Sequence, residues 1–381
     1  MKSDKKSDNN RLLVFYKDKK VGTLAMTAAR KVAFEYDDEW IAEGFSISPF
    51  SLPLRKEVFI PKKDYFGGLF GVFADSLPDA WGRILLSRFL KEKGIEEESI
   101  TVLDRLAMVG SSGMGALTYK PEKHFDTAPG VLDLDELAQQ CGKILNAEYS
   151  ERLDELYVLG GTGGGARPKI LTRVDGEDWI IKFPSRFDMA ESGKMEFDYG
   201  VCAAACGIEM SEIKLFPSEK CGGYFGTKRF DREKEGGETD RIHVATAAAL
   251  LELDFNQPSL DYRDLIKLTK IMTNNNAQDV TGMFKRMCFN VFAHNRDDHS
   301  KNFSFFYDEV KRLWRLSPAY DLTYSNTFFG EHTTSVAGNG YNPGPSELLR
   351  VGLEAGISPG KAGEIIENVK NTVENMLEKY L

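Results

Sequence analysis

Cysteine is scarce in this chain of 381 residues, and the few present form no recognisable set. The five cysteines are an odd number and include no Cys-x-x-Cys pair, so neither a disulfide framework nor a structural zinc site is indicated. Cys202 and Cys206 would share one face of a helix, but their alanine-rich surroundings favour small core packing. The cysteine content fits a reduced cytoplasm.

Long apolar runs are missing as well. No run of eighteen apolar residues occurs anywhere, which predicts that no helix spans a membrane. Residues 1–10 are polar with mixed charge and lack the apolar core of a signal peptide, so they predict a disordered arm. We therefore expect a cytoplasmic protein that does not associate with a membrane.

The chain also lacks an excess of positive charge. Its net charge of −9 argues against a nucleic-acid surface that covers the whole chain, although a local basic patch is compatible with it. A hydrophobic content of 42% with 28% charged residues is ordinary for a globular protein. Because 381 residues exceed what one hydrophobic core usually supports, we expect two or three domains.

The order of secondary-structure patterns divides the chain into segments. Short β patterns at 12–16, 21–25 and 32–36 begin a β-rich region that one helix interrupts, with Asp75 or Ser76 as its cap. A linking helical segment follows, with a boundary at Pro129-Gly130, then a mixed region and a mainly helical one. The predicted segments are 1–10, 11–122, 123–155, 156–232 and 233–381. The predicted helices cover 79–93, 133–144, 193–206, 244–253, 262–272, 279–294 and 358–380.

The polar stretch at 295–302 carries the strongest chemical signal. Asp297 precedes Asn302 by five positions. In a kinase catalytic loop this spacing lets the carboxylate reach the attacking hydroxyl while the amide oxygen holds magnesium. Alternating segments at 303–307 and 313–316 predict a hairpin that returns the chain toward this stretch. Asp321, which follows the hairpin, is the candidate for a further metal ligand.

The same polar residues are also compatible with two kinds of loop that have no part in kinase chemistry. Asn and Asp are favoured in solvated turns because their side chains bond to nearby backbone groups, and a different metal-binding loop would use the same residue types. A calcium-binding EF-hand is disfavoured, since no Gly occupies the sixth loop position and no Glu the twelfth.

A glycine-rich stretch lies earlier in the chain. Residues 160–165 carry five glycines in six positions, which lets backbone amides approach a phosphate that a Cβ atom would exclude. No Gly-Lys-Ser/Thr follows and no G-x-G-x-x-G register fits, so neither standard phosphate motif applies. A flexible linker would account for the glycine content equally well.

The residues after this stretch predict a hairpin with a lysine at its end. The β patterns at 169–173 and 179–183 bracket Asp175-Gly176, a typical two-residue hairpin turn. A glycine-rich loop, a hairpin and then Lys182 follow the order found in protein kinases, where the lysine contacts the α and β phosphates. An exposed lysine at a strand end is the alternative. Glu196, in the next helix, would either pair with Lys182 or favour the helix dipole.

Together these motifs resemble the HipA family of bacterial serine/threonine kinases, the toxins of toxin–antitoxin pairs. The resemblance runs in family order from about Arg11 to the C-terminus, and several motifs in the right order are more specific than any one. The matching segments are 66–83, 164–169, 181–183, 228–231, 295–302 and 317–322. The resemblance implies an α+β fold, with an N-terminal β-rich subdomain, a bilobal kinase-like core and a mainly helical C-terminal lobe.

The resemblance also implies roles for residues at the matching positions. Asp297 would be the catalytic base, and Asn302 and Asp321 the magnesium ligands. His299 would border the triphosphate, although a lone histidine in a loop is otherwise a turn or core partner. The backbone of residues 228–230 would meet adenine, and Asp231 would contact the ribose. The predicted nucleotide contacts are Gly163, Gly164, Gly165, Lys182, Lys228, Phe230, Asp231, His299 and Asn302.

Thr162 occupies the position at which the family carries a hydroxyl residue that the enzyme phosphorylates on itself, seven residues before Lys169. The chain departs from the family pattern here, with Thr and a run of glycines in place of a Ser-containing segment with fewer glycines. A phosphate would add about −1.5 to −2 charge inside a loop meant to hold nucleotide. We therefore expect this modification to switch the enzyme off.

The sequence thus predicts an ATP- and Mg²⁺-dependent serine/threonine protein kinase that phosphorylates itself and a bacterial cytoplasmic protein. The family suggests an aminoacyl-tRNA synthetase as the substrate and a small helix-turn-helix antitoxin as a partner, with DNA contacted only through that partner. A kinase for a small molecule or lipid stays open, because the catalytic residues do not encode the acceptor. A nucleotide-binding regulatory module without useful catalysis is the second alternative.

Overall fold

The computed structural model describes residues 10–123, 132–185, 188, 191–235, 238–327 and 330–381. Most of the predicted disordered arm and the predicted boundary at Pro129-Gly130 lie outside these residues. The chain forms two compact units. The first unit comprises residues 1–171 and 231–254, and the second comprises residues 172–230 and 255–381. The predicted segment boundaries stay predictions.

The described residues contain both strands and helices throughout, which confirms the α+β class. In chain order, the strands are β1 (Arg11–Tyr16), β2 (Lys19–Met26), β3 (Val32–Tyr36), β4 (Val58–Phe59), β5 (Leu117–Lys120), β6 (Lys169–Val174), β7 (Glu177–Lys182), β8 (Ile213–Phe216), β9 (Tyr224–Lys228), β10 (Arg232–Glu235), β11 (Glu238–Arg241), β12 (Val244–Thr246), β13 (Leu260–Asp261), β14 (Ser304–Asp308), β15 (Leu313–Leu316) and β16 (Thr334–Ser335).

The helices include several that the sequence analysis did not predict. In chain order they are α1 (Asp38–Glu43), α2 (Gly71–Ala74), α3 (Ala80–Glu92), α4 (Val102–Val109), α5 (Leu134–Leu145), α6 (Leu153–Gly160), α7 (Ser192–Ala205), α8 (Ala247–Leu251), α9 (Tyr262–Met272), α10 (Ala277–Phe292), α11 (Pro345–Glu354) and α12 (Pro359–Leu377). Single 3₁₀ turns occur at Glu97–Ser99, Ser300–Asn302 and Glu378–Tyr380. None of these helices is long and apolar enough to cross a bilayer, a statement that covers the described ranges alone.

A five-stranded antiparallel sheet organises the first unit. Its strand order is β4-β3-β2-β1-β5, so the three β patterns predicted near the N-terminus are confirmed as neighbouring strands. The alternate residues Leu12, Val14 and Tyr16 of β1 are buried, as expected for a strand with one face on a core.

The prediction of a single helix between residues 11 and 122 is wrong, because α1, α2 and α4 accompany α3. These three helices are too short to show a clear apolar period. The predicted cap of α3 is also wrong. Asp79, not Asp75 or Ser76, is the residue that precedes its first turn, and Asp75 instead accepts hydrogen bonds from the backbone and hydroxyl of Thr246.

The predicted helix at 244–253 is a strand followed by a shorter helix. Thr246 ends β12, and its hydroxyl accepts a hydrogen bond from the backbone N–H of Ala249 at 3.1 Å. A threonine cap of this kind fixes the helix start, so α8 begins only at Ala247. The apolar run of alanines and leucines concealed this boundary.

The second unit combines a small sheet with a helical bundle. Within this unit β7, β9 and β8 are neighbouring strands in that order, and α7, α9, α10, α11 and α12 pack around a core that includes Met283, Phe284 and Phe289. Asp175 and Gly176 both have positive φ, 53° and 76°, as a type I′ turn requires, so the predicted Asp-Gly hairpin is confirmed. Cys202 on α7 and Cys206 at its C-cap are both buried, in agreement with core packing.

Candidate active site

Lys182 and Glu196 form a buried ion pair in the second unit. Lys182 ends β7, and its ammonium lies 2.6 Å from the Glu196 carboxylate on α7. The two residues are only 9% and 1% exposed. Glu196 lies just beyond the first turn of α7, where the helix dipole has little effect on a carboxylate. Of the two roles considered for Glu196, the structure shows the pairing.

The same ammonium also bonds to Asp321. Lys182 donates a hydrogen bond to Oδ1 of Asp321, whose side chain is 35% exposed. Burial by itself would lower the pKa of Lys182, but the Asp321 and Glu196 charges and hydrogen bonds outweigh it and raise the pKa above its ordinary value. Lys182 is therefore a permanent positive charge held between two carboxylates at neutral pH.

The loop that carries Asp297 and Asn302 is closed by its own hydrogen bonds. Nδ2 of Asn302 donates to the carbonyl oxygen of Asp297 at 2.7 Å, and Nδ1 of His299 accepts from the backbone N–H of Lys301 at 3.2 Å. The Asp297 carboxylate is 57% exposed and lies 4.0 Å from Nε2 of His299. The structure thus brings Asp297, His299 and Asn302 together, with an accessible carboxylate.

Tyr320 connects this loop to the segment that carries Asp321. Its hydroxyl donates to the carbonyl oxygen of Lys301 at 2.8 Å. Its ring stacks on Phe230, with centroids 5.9 Å apart and planes inclined by 19°. Asp321 itself has a φ of 58°, a left-handed conformation that Asp tolerates better than most residues. The neighbours of Asn302 and Asp321 are therefore in direct contact.

Asp298 was given no role by the sequence analysis, yet it is among the most buried residues of the loop. Its carboxylate accepts hydrogen bonds from the Tyr262 hydroxyl and the Thr334 backbone N–H, and it contacts His332. Asp297 and Asp298 therefore point into different surroundings. The two consecutive aspartates, Asp297 and Asp298, are the sequence feature that could have indicated a role for Asp298.

The predicted adenine contacts at residues 228–230 lie at the end of β9. The backbone N–H of Lys228 donates to Glu212 and that of Arg229 donates to Asp178, each at 2.8 Å. The Lys228 ammonium lies 2.9 Å from Glu177. These bonds hold the segment in the sheet, and Phe230 follows it with its ring against Tyr320.

The predicted phosphate loop belongs to the first unit, whereas Lys182 belongs to the second. Gly165 has a φ of +87°, which favours glycine, and its N–H donates to Asp79 at 3.1 Å. Lys169 donates to the carbonyl oxygen of Gly164. The Thr162 hydroxyl donates to the carbonyl oxygen of Ser112 at 3.2 Å. The roles of Thr162 and of Gly163 to Gly165 stay predictions.

Asp231, the predicted ribose contact, also lies in the first unit. It is fully buried, accepts a hydrogen bond from the Gly115 N–H at 2.7 Å and pairs with Arg232 at 2.8 Å. A buried carboxylate with these partners stabilises the local fold. The ribose contact of Asp231 stays a prediction.

Comparison with known proteins agrees with the motifs. A model described as the HipA N-terminal domain matches residues 12–120, and one described as the HipA-like C-terminal domain matches residues 161–377. A relative from Sinorhizobium fredii (strain NBRC 101917 / NGR234), named "Putative kinase Y4mE", is 27% identical over 342 residues, which are 82% of this chain and 76% of that protein.

A solved structure of Shewanella oneidensis MR-1 HipA, in complex with HipB and its operator DNA, has a similar fold. The TM-score is 0.72 at 17% sequence identity, and the match covers 97% of this chain and 90% of that one. At this identity the likeness shows the fold alone. The two matched models cover most of the sequence in the expected order. The chain therefore belongs to the HipA family of kinases.

Proposed function

We propose that this protein is an ATP- and Mg²⁺-dependent serine/threonine protein kinase. The observation that carries the proposal is Lys182, whose ammonium lies 2.6 Å from Glu196 and also bonds to Asp321. An ion pair between a strand lysine and a helix glutamate, together with a metal-binding aspartate, is the arrangement that protein kinases need for phosphoryl transfer. The loop at 295–302 supplies the remaining groups.

The oxygen atoms available at this site suit magnesium. Because Nδ2 of Asn302 is used by the Asp297 carbonyl, its Oδ1 is the atom that would hold a metal ion, with the Asp321 carboxylate as the second ligand. Mg²⁺ prefers such hard oxygen ligands and usually takes only one or two from the protein beside the phosphates. When bound, the ion would neutralise charge on the transferred phosphoryl group.

The protein side chains would then bind the phosphates and accept the proton. Lys182, held by Glu196, exchanges its contact with Asp321 for the phosphate oxygens of ATP. Asp297 accepts the proton of the acceptor hydroxyl as that oxygen bonds to the γ-phosphorus and the bond to ADP breaks. The reaction depends on positioning and charge neutralisation, which is why so few side chains suffice.

Family membership supports a bacterial cytoplasmic protein as the acceptor, and we extend the proposal to an aminoacyl-tRNA synthetase, whose modification would arrest growth. The Shewanella relative was solved with HipB and operator DNA. This supports a small helix-turn-helix antitoxin as a partner of the present chain, with DNA reached only through that partner. The net charge of −9 agrees with indirect DNA contact.

We further propose that Thr162 is an autophosphorylation site that inhibits the enzyme. Its hydroxyl makes a single described hydrogen bond, to Ser112 at 3.2 Å, in an exposed position. A phosphate there would repel nucleotide phosphates. Mass spectrometry after incubation with Mg²⁺-ATP should find phosphate on Thr162 in the wild type, and Thr162→Val should stay active for longer. An unmodified Thr162 in an active enzyme would remove this claim.

The decisive experiment compares the wild type with Asp297→Asn. We expect the variant to lose phosphoryl transfer by at least about 100-fold, within the range for a general base, while thermal unfolding and Mg²⁺-ATP binding stay close to wild type. Glu309→Gln, an exposed change in the turn between β14 and β15, is the matched control. Near-normal activity of Asp297→Asn would show that the base assignment is wrong.

The acceptor class is read from the same assay with labelled ATP. Transfer of label to protein in a bacterial extract supports the protein kinase, whereas label in the metabolite or lipid fraction favours the alternative kinase. Binding of Mg²⁺-ATP without any turnover would instead favour a regulatory module.

A further inference from the structure

Two consecutive aspartates of the loop at 295–302 differ in solvent exposure. The Asp297 side chain is 57% exposed, whereas Asp298 is fully buried. An ionised side chain is rarely buried completely unless it is paired or hydrogen-bonded. Hydrogen bonds to the Asp298 carboxylate therefore have to offset the free-energy cost of burying it.

Asp298 has partners on both of its carboxylate oxygens. Oδ2 accepts a hydrogen bond from the Tyr262 hydroxyl at 2.8 Å and lies 3.0 Å from Nδ1 of His332. Oδ1 accepts one from the backbone N–H of Thr334 at 3.0 Å. The Thr334 hydroxyl in turn donates to the carbonyl oxygen of Asp298. Side chain and backbone of Asp298 are therefore both held.

These partners belong to elements that are held by hydrogen bonds of their own. Tyr262 begins α9, whose cap Asp261 bonds to Ser335 at 2.8 Å, and Thr334 lies on β16, which pairs with β13. All of these residues lie in the second unit. The loop is thus attached through Asp298 to a strand pair and to the start of a long helix.

The polar network extends to the first residue of the loop. Nδ2 of Asn290, on α10, donates to the Tyr262 hydroxyl at 2.8 Å, and Nδ2 of Asn295 donates to Oδ1 of Asn290 at 3.0 Å. Asn290 and Asn295 are buried. One continuous chain of hydrogen bonds therefore leads from Asn295 through α10 and α9 to Asp298.

We propose that Asp298 is a positioning residue that holds the loop so that Asp297 and Asn302 keep a fixed relation to each other. The peptide unit between Asp297 and Asp298 is held from two directions, because Asn302 donates to its carbonyl oxygen and Asp298 is anchored beneath it. Supporting residues of this kind orient the groups that touch metal or substrate. The inference rests on the kinase activity proposed above.

The test compares Asp298→Asn with a control that also removes a buried carboxylate. Asp279 on α10 is buried and lies 2.7 Å from Arg315, and no described contact joins it to the loop, so Asp279→Asn should lower the unfolding temperature without changing catalysis. For Asp298→Asn we expect kcat for ADP formation from Mg²⁺-ATP to fall by about 10- to 100-fold. KM for ATP should change by less than about threefold, or about 0.7 kcal/mol.

Hydrogen exchange of the amides at 295–302 gives a second measurement that does not depend on activity. Asp298→Asn should speed their exchange by about tenfold or more, while Asp279→Asn should leave it unchanged. If Asp298→Asn does not fold, Tyr262→Phe takes its place, because it removes one hydroxyl from the network and keeps the ring. Its effects should have the same sign and be smaller.

The outcomes are distinct. A folded Asp298→Asn with wild-type kcat and wild-type exchange overturns the inference, as does an equal loss of kcat in Asp279→Asn. If the wild type itself forms no ADP, the proposed kinase activity fails. The exchange measurement then still decides whether Asp298 holds the loop.

Discussion

The Tyr320 hydroxyl donates a hydrogen bond to the carbonyl oxygen of Lys301 at 2.8 Å. This bond joins the residue before Asp321 to the residue before Asn302, and thus connects the two proposed metal ligands through their neighbours. The segments are far apart in sequence, separated by the hairpin of β14 and β15. Their contact is what makes a shared metal site geometrically reasonable.

Removing that hydroxyl should weaken catalysis without disturbing the fold. Tyr320→Phe keeps the ring that stacks on Phe230 and loses one hydrogen bond, which is worth about 0.5–1.5 kcal/mol. We expect kcat/KM to fall by about 3- to 10-fold. Tyr307→Phe, which removes a hydroxyl from β14, is the control, and equal losses in both variants would argue against a specific role for Tyr320.

Neutralising Glu196 should release Lys182 from one of its two partners. Glu196→Gln keeps the side-chain volume but weakens the charge-assisted contact at 2.6 Å, at a cost of about 1.5–3 kcal/mol in the free energy of unfolding. Phosphoryl transfer should fall at least about tenfold because Lys182 is no longer held. Denaturant titration and initial rates measure the two effects.

An exposed ion pair provides the comparison for Glu196. Glu374→Gln breaks the surface contact with Lys370 at 3.8 Å on α12 and should change the free energy of unfolding by less than about 1 kcal/mol.

The pKa of Lys182 is raised above its ordinary value of 10.5. Its contribution to stability is therefore fully present below that pH and is lost only as the pH rises further. If the ion pair of Lys182 and Glu196 lost its contribution to wild-type stability between about pH 7 and 9, this would contradict the raised pKa of Lys182.

Substitution of Asp321 should change the metal requirement. Asp321→Asn removes the charge of a proposed magnesium ligand, so we expect a higher Mg²⁺ concentration for half-maximal activity, by about tenfold or more. Asp308→Asn is the matched control, because Asp308 accepts a hydrogen bond from the Lys311 N–H in the hairpin turn. An unchanged Mg²⁺ titration for Asp321→Asn would show that this carboxylate does not hold the ion.

The stability of the first unit should depend on the protonation of His243. Burial lowers the pKa of this histidine from 6.5 to about 4, partly offset by its hydrogen bond to the Ile47 carbonyl oxygen. The native state therefore keeps it neutral while the unfolded chain binds a proton. Its contribution is fully present above about pH 6.5 and is lost as the pH falls toward 4, by up to about 3 kcal/mol.

Urea unfolding at pH 7, 6, 5 and 4 tests this dependence. His243→Gln, whose amide is able to donate to the same carbonyl, should be less stable than wild type at pH 7. With decreasing pH, the stability of this variant should fall less steeply than that of the wild type, and the two slopes should differ by up to about 1.4 kcal/mol per pH unit. Parallel slopes for the two proteins would exclude His243 as the titrating group.

The sequence predicted best those elements whose signals are local. The bounds of α9 were predicted without error at Tyr262–Met272, because a clear apolar period follows a capping aspartate. The hairpin of β6 and β7 followed from its Asp-Gly turn. The helices α1, α2, α4, α6 and α11 were missed, and α8 was predicted too long. Each of these helices has ten residues or fewer, and short helices show too few turns for a period to appear.

For the candidate site, the sequence alone determined the family, the spacing of Asp297 and Asn302, and the lysine at the end of β7. Tertiary structure decided which distant groups meet. Lys182 reaches Asp321 across 139 positions, and Asp298 rather than its neighbour turns inward. The physical reason is that period, turn and cap signals act over a few residues, whereas contacts between distant side chains depend on how the whole unit buries its charges and apolar surface.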